Sequence, residues 1–204
     1  MTAATENTPT VYTKDTMRQK AFSRRVQMPQ AERKQLSQQI AENFFAHVPL
    51  PPAGSVVSAY SPINGEVDVR DIMKRLAGMG YVCTLPYVTD NEQRLSFLKW
   101  TEDTPLRNSI YGIPEPDPKT AQEFMPDFLI MPILAFDEQG HRLGYGSGNF
   151  DRTFAFLKKI KPFKTVAVAY EEQKYDSVPV DAHDYPMDMV VTEKRVYDFG
   201  GVTT

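Results

Sequence analysis

Ser55-Val56-Val57-Ser58-Ala59-Tyr60, then residues 68–79, then Tyr81-Val82-Cys83-Thr84-Leu85-Pro86 form one unit. The first run is short, β-branched and bounded by turn residues, with Pro49-Leu50-Pro51-Pro52-Ala53-Gly54 ahead of it, and it reads as a central strand. The second places Val69, Ile72, Met73, Leu76 and Ala77 on one helical face and ends at Gly78 or Gly80. The third is again a strand. Strand, helix and strand within about thirty residues make a crossover that joins parallel neighbours, so the class is α/β: a three-layer sandwich with a mostly parallel central sheet flanked by helices.

Outward from this unit the pattern repeats. Residues 95–100 read as a strand and 103–124 as a proline-rich surface loop. Residues 127–134 are continuously apolar, as in a strand buried on both faces. A glycine-rich turn follows, then a helix over 151–160, a strand over 165–170 and a last strand over 189–192. Toward the N-terminus, Met17, Phe22, Val26, Leu36, Ile40, Phe44 and Phe45 recur among charged and amide residues, which predicts an amphipathic arm from Lys14 to about His47 with a second helix starting at Pro29. Residues 1–13 are expected to be a flexible tail on a single domain spanning 1–204.

Composition excludes several classes. Twenty-three Lys and Arg against 26 Asp and Glu give a net charge of -3, so no global field draws the chain to nucleic acid or an anionic membrane. Any anion site must be local. The single Cys83 forms no intrachain disulfide and reads as a buried, inert thiol in a reducing, cytoplasmic setting. No apolar run has the length that a bilayer requires.

The local anion site is Arg142-Leu143-Gly144-Tyr145-Gly146-Ser147-Gly148-Asn149-Phe150-Asp151-Arg152. Three alternating glycines directly precede a helix with Phe150, Phe154 and Leu157 on its apolar side. Such a turn exposes backbone N–H groups at the positive end of a helix, and two arginines flank it. Taken only as a structural element, it is a strand-to-helix turn with Asn149 as N-cap and Asp151 as a first-turn acid. Asn149 stands where a dinucleotide fingerprint has its third glycine, no Gly-Lys-Ser/Thr occurs, and Ser147 lacks the glycines of a nucleophile elbow.

Residues 135–152, together with Lys14 to Arg18, Tyr60 to Val69, Tyr111-Gly112-Ile113-Pro114-Glu115-Pro116 and Val178-Pro179 through His183-Asp184, resemble the signature of the 5-formyltetrahydrofolate cyclo-ligase family. Four further segments in the family's order are far more specific than the glycine loop alone. The resemblance implies ATP- and magnesium-dependent conversion of 5-formyltetrahydrofolate to 5,10-methenyltetrahydrofolate with release of ADP and phosphate. It implies ATP contacts by Lys14, Arg18, Arg142, Gly144, Gly146, Ser147, Gly148, Asn149 and Phe150. Lys14 and Arg142 are the residues it makes catalytic. It also implies magnesium ligation by Asp151 and Asp184, and folate contacts by Glu66, Tyr111 and Asn149. The partners are small molecules, and a monomer is expected.

The residues suit those roles. Lys14 and Arg18, four apart, share one helix face. A carboxylate such as Glu66 can accept paired hydrogen bonds from a pterin N–H edge. Tyr111 has the flat ring to stack on a heterocycle, and Trp100 is the rival aromatic with a core role as its simpler reading. His183 lacks the further His and Asp ligands of a phosphohydrolase. Asn149 and Phe150 depart from the family by standing where many members carry tyrosines. That departure motivates two rivals: an ATP-using enzyme of this fold acting on another small molecule, and a folate or nucleotide binding protein without turnover.

Overall fold

The computed structural model describes residues 12–88, 94–109 and 111–200. The expected tail lies, up to residue 11, outside the described residues. The arm forms two helices, α1 (Lys14–Gln27) and α2 (Gln30–His47). Thr13 caps α1 through a reciprocal bond pair with Thr16, satisfying two donors that the first turn leaves open. Pro29 is the N-cap of α2, one place before the position expected of it.

The crossover is formed by β1 (Val56–Ser58), α3 (Arg70–Gly78) and β2 (Val82–Val88), with β1 and β2 parallel. β3 (Leu95–Lys99) returns antiparallel along β2. The expected loop over 103–124 contains structure of its own: β4 (Leu106–Asn108) and β5 (Pro114–Pro116) pair as a small antiparallel hairpin. Its prolines occupy an isolated two-stranded sheet, where a missing N–H costs no central ladder bond.

β6 (Phe128–Pro132) is the buried strand anticipated from its apolar run. A second hairpin, β7 (Ala135–Phe136) with β8 (Arg142–Leu143), leads into the glycine loop and α4 (Asn149–Leu157). β9 (Lys164–Val168) and β10 (Met189–Val191) are parallel, and β11 (Val196–Asp198) closes the edge antiparallel. β11 is thus a strand beyond the one expected to be last. The seven-stranded order is β11-β10-β9-β6-β1-β2-β3.

Side chains alternate across the sheet and define its layers. Val57, Ile130, Val166, Val168 and Val191 pack with Ile40 and Phe44 of α2 and with Ile72 and Leu76 of α3. Leu129, Met131, Ala167 and Val190 point the other way, beneath Phe154 and Leu157 of α4. Helices cover both faces. Cys83 is buried on β2, and burial pushes its thiol up to about 11, which keeps it unreactive. No helix among the described residues is long and apolar enough to cross a membrane.

The sheet order positions the site. From β1 the chain winds one way to β2, whereas from β6 it winds the other way to β9 and β10. Loops leaving the C-terminal ends of β1 and β6 therefore diverge, and the crevice between them is where α/β sheets bind ligands.

Candidate functional site

A cleft of about 210 Å³ opens at that crevice, with Met131 and Pro132 at the end of β6 as its floor. This is below the roughly 300–1,000 Å³ of whole small-molecule pockets, so it suits one charged portion of a ligand. Its walls come from α1, the glycine loop, the start of α4 and the segment after β9. Lys14, Arg18, Arg142, Gly144, Gly146, Ser147, Gly148, Asn149, Phe150, Asp151 and Asp184 all line it, though they span 170 residues of chain.

The loop conformation needs its glycines. Gly146 and Gly148 have φ of 98° and 69°. A methyl on Gly146 would lie 3.1 Å from Arg18 Cζ, and one on Gly148 would lie 2.7 Å from an Arg152 nitrogen. The loop is folded around two guanidinium groups. Arg18 Nε donates to the Gly144 carbonyl at 3.1 Å, and Arg152 donates to the Ser147 carbonyl and to Asn149 Oδ1, each at 2.7 Å. Gly148, in the left-handed conformation, is the N-cap of α4; Asn149 is its first residue and not its cap. A residue without a Cβ reaches that conformation at least cost, which overrides the side-chain preference of asparagine for a cap.

The three cations of the cleft are each paired with an aspartate. Lys14 donates to Asp181 at 2.8 Å and also to Asp184, and Arg18 binds Asp15 at 2.6 Å. Arg142 donates to Asp151 at 2.6 Å and to the Tyr185 carbonyl, while the Tyr185 amide donates to the same Asp151 oxygen. Burial works against the charge on Lys14, but its two carboxylates outweigh it and raise its pKa. Asp184 shows the reciprocal effect: burial works against its charge, and Lys14 with the Asp181 amide lowers it below the usual carboxylate value.

Glu66 does not line the cleft; it sits behind the loop with its side chain 3% exposed. Its Oε2 accepts the Ile63 amide and its Oε1 accepts the Tyr145 hydroxyl, both at 2.9 Å. Tyr145, between Gly144 and Gly146, does line the cleft and connects the two regions. Burial raises the Glu66 pKa against the pull of the Ile63 amide, Arg25 and Tyr145. Burial and the Glu66 charge together push the Tyr145 hydroxyl up to about 12. Tyr111 lies elsewhere, at the tip of the β4–β5 hairpin and 65% exposed. Trp100 is partly buried against the core and lines a second hollow with Tyr60, Met73 and Arg70. Phe150 leans on Phe154, with ring centroids 5.8 Å apart.

The model of the 5-formyltetrahydrofolate cyclo-ligase family matches residues 11–193, a span that contains every residue of the cleft. The chain belongs to the 5-formyltetrahydrofolate cyclo-ligase family. The 5-formyltetrahydrofolate cyclo-ligase of Escherichia coli K12 is 30% identical over 183 residues, covering 86% of this chain and 98% of its own. That of Haemophilus influenzae is 31% identical over 136 residues, 64% of this chain and 72% of the relative. The NMR structure of Aquifex aeolicus 5,10-methenyltetrahydrofolate synthetase aligns with a TM-score of 0.76 at 30% identity, over 94% of this chain and 95% of that one. The Mycoplasma pneumoniae synthetase, at 20% identity and a TM-score of 0.71 over 89% and 99%, shares the fold.

For a cyclo-ligase family member the donor set matters as much as the fold. Among the described residues no three His, Cys, Asp or Glu side chains cluster to cage a metal. Asp151 and Asp184 nevertheless face one cleft, and magnesium is commonly held by one or two carboxylates, substrate phosphates and water. The residues present fit that ion. Arg25, Tyr145 and Asp181 were not singled out from sequence. Arg25 carries the one periodic signal: it lies eleven residues after Lys14 and seven after Arg18, three full turns and two turns along the same face of α1.

Proposed function

We propose that this chain is a 5-formyltetrahydrofolate cyclo-ligase that uses ATP and magnesium to form 5,10-methenyltetrahydrofolate, ADP and phosphate. The observation that carries the proposal is the convergence of Lys14, Arg18, Arg142, the glycine loop, Asp151 and Asp184 on one cleft at the sheet's switch point. The chemical difficulty is the formyl oxygen, a poor leaving group that phosphorylation converts into a good one. The chain therefore has to align the reactants and balance the charge that shifts between phosphoryl group and oxygen.

In this reading, phosphate oxygens take over Lys14 and Arg142 from their carboxylates. The Lys14–Asp184 pair is only partly buried, its side chains 19% and 25% exposed, and in the other pair Asp151 is 30% exposed while the buried Arg142 keeps the Tyr185 carbonyl, so an exchange of partners leaves each acid in reach of water. Asp184 and Asp151, released from those cations, would hold a magnesium ion, which would supply charge neutralisation on the phosphates. Arg142 keeps its bond to the Tyr185 carbonyl when Asp151 leaves it and stays oriented toward the transferring group. Glu66 takes the pterin N–H edge, and the folate 10-nitrogen then closes the ring as phosphate leaves. The protein works as a monomeric, cytoplasmic enzyme in this proposal.

The test is a spectroscopic assay for methenyl product with 5-formyltetrahydrofolate and MgATP. Product that requires both substrates and magnesium is the expected result. Stabilisation by both ligands with no product would leave a binding protein in place of the enzyme.

A further inference from the structure

Arg25 is the largest fully buried side chain in the molecule's core, 1% exposed, on a helix whose other buried positions are Met17 and Ala21. A guanidinium at such a place must find acceptors. It donates to the Asn64 carbonyl at 3.3 Å, to the Ile133 carbonyl at 3.2 Å and to the Tyr145 hydroxyl, and its ring-facing side lies 5.4 Å from the Tyr145 centroid. Those acceptors are informative. Asn64 precedes Glu66 in the loop after β1, Ile133 leaves the end of β6, and Tyr145 belongs to the glycine loop. One side chain ties together the loops that diverge at the switch point.

Its distance to Glu66 is equally telling. Arg25 Nη2 is 4.0 Å from Oε1, close enough to stabilise the carboxylate charge but beyond hydrogen-bond length. The direct bonds to Glu66 come from the Ile63 amide and the Tyr145 hydroxyl. Two of the carboxylate's roughly four acceptor sites are thus occupied by the protein itself. The chain Arg25, Tyr145 hydroxyl, Glu66 polarises in one direction, each donor strengthening the next.

We propose that Arg25, acting through the Tyr145 hydroxyl, is a positioning residue that aims the Glu66 carboxylate at the folate and ties that aim to the glycine loop on the nucleotide side. The inference rests on the proposed role of Glu66. Because Tyr145 stands between Gly144 and Gly146, a loop that shifts on nucleotide binding also shifts the donor that holds Glu66. Neither Arg25 nor Glu66 lines the nucleotide cleft, so the effect of changing Arg25 falls on folate use.

Steady-state kinetics of the full-length chain test this, with KM for 5-formyltetrahydrofolate and for MgATP measured separately for Arg25→Lys, Arg25→Met, Tyr145→Phe and Glu66→Gln. Tyr145→Phe, which keeps the ring, raises the folate KM several-fold, and Arg25→Met raises it on the order of tenfold, the scale of losing a hydrogen bond in a charged network. Arg25→Lys falls between wild type and Arg25→Met, and the ATP KM moves less than about twofold in each. Adding Arg25→Met to Glu66→Gln costs little further folate affinity, and that double variant, which buries no unpaired charge, reports the coupling if Arg25→Met alone misfolds. A folded Tyr145→Phe or Arg25→Lys with an unchanged folate KM, or with both KM values raised equally, overturns the inference while the role of Glu66 stands. An unchanged folate KM in Glu66→Gln overturns that role and the inference with it.

Discussion

The wall of the cleft and the buried layer behind its glycine loop, an outer and an inner wall, carry the same kinds of charge in different surroundings. On the outer wall Lys14 meets Asp181 and Asp184, and Arg142 meets Asp151, with the acids open enough to water to change partners. On the inner wall Arg25 and Glu66 are almost fully excluded from water, 1% and 3% exposed, and a hydroxyl mediates between them. A pair with one partner open to water costs less to separate than one with both partners buried, whose breaking leaves a charge without solvent. The contrast matches the two tasks of the proposed function, an outer wall to exchange partners with phosphate and an inner wall to hold a recognition group in a fixed place.

The largest effect expected from this division is at Arg142. Arg142→Ala lowers kcat/KM by about tenfold or more, because an oriented charge-assisted donor is lost where phosphate charge develops. Its thermal midpoint falls by a smaller proportion, since Asp151, 30% exposed, regains water. Kinetics equal to wild type would move phosphate handling off this wall altogether.

Glu66→Gln sharpens the inner side of the comparison. The folded-state pKa of Glu66 is raised above its ordinary 4.5 by burial, so its contribution to stability is fully present below 4.5 and is lost as pH rises through the raised folded value. Glutamine does not titrate and removes that loss. The variant should therefore lose folate affinity while its urea midpoint falls less than that of wild type between about pH 4 and about pH 7. A variant that is less stable than wild type across that whole range would mean that the Glu66 charge is well compensated in its site.

The outer pairs should behave in the opposite sense. Asp184 is lowered below its ordinary 3.8, against the opposing effect of burial, so its contribution is present above 3.8 and disappears as pH falls through the lower folded value. Lys14, raised despite burial, keeps its contribution below its ordinary 10.5 and loses it as pH rises through the folded value. Across the neutral range both are charged and their contribution to stability is flat. Asp184→Asn and Asp151→Asn accordingly leave the neutral-pH fold intact and shift half-saturation by magnesium to higher concentration, because an amide keeps the shape and loses the charge. Magnesium titrations identical to wild type would assign both acids to the ion pairs alone.

The smallest change is expected at Asn149, whose amide oxygen accepts from Arg152. Asn149→Tyr leaves activity on 5-formyltetrahydrofolate equal or somewhat higher. A loss worth roughly 1–3 kcal/mol, read as the ratio of kcat/KM values, would mean that the loop is shaped for a different substrate.

Much of this architecture was legible in the chain itself. The short β-branched runs and the helical pattern over 55–86, the apolar run at 127–134 and the arm ahead of them determined an α/β sheet with its parallel crossover, because burial selects β-branched residues in strands and a helical period on one face of a helix. The glycines ahead of a helix likewise marked the strand-to-helix turn, since the left-handed backbone at Gly146 and Gly148 disfavours other residues. Short edge strands such as β4, β5 and β11 were not legible: three residues give too little periodicity, and pairing alone creates them. Nor was the inner wall. Arg25, Glu66 and Tyr145 come from three distant segments, and although its spacing puts Arg25 on the face of Lys14 and Arg18, nothing local says that this arginine is buried while the one beside it is exposed. Only the convergence of α1 with the loops after β1 and β6 removes that guanidinium from water and gives it partners, and a desolvated charge acquires its meaning from the neighbours that the tertiary structure supplies.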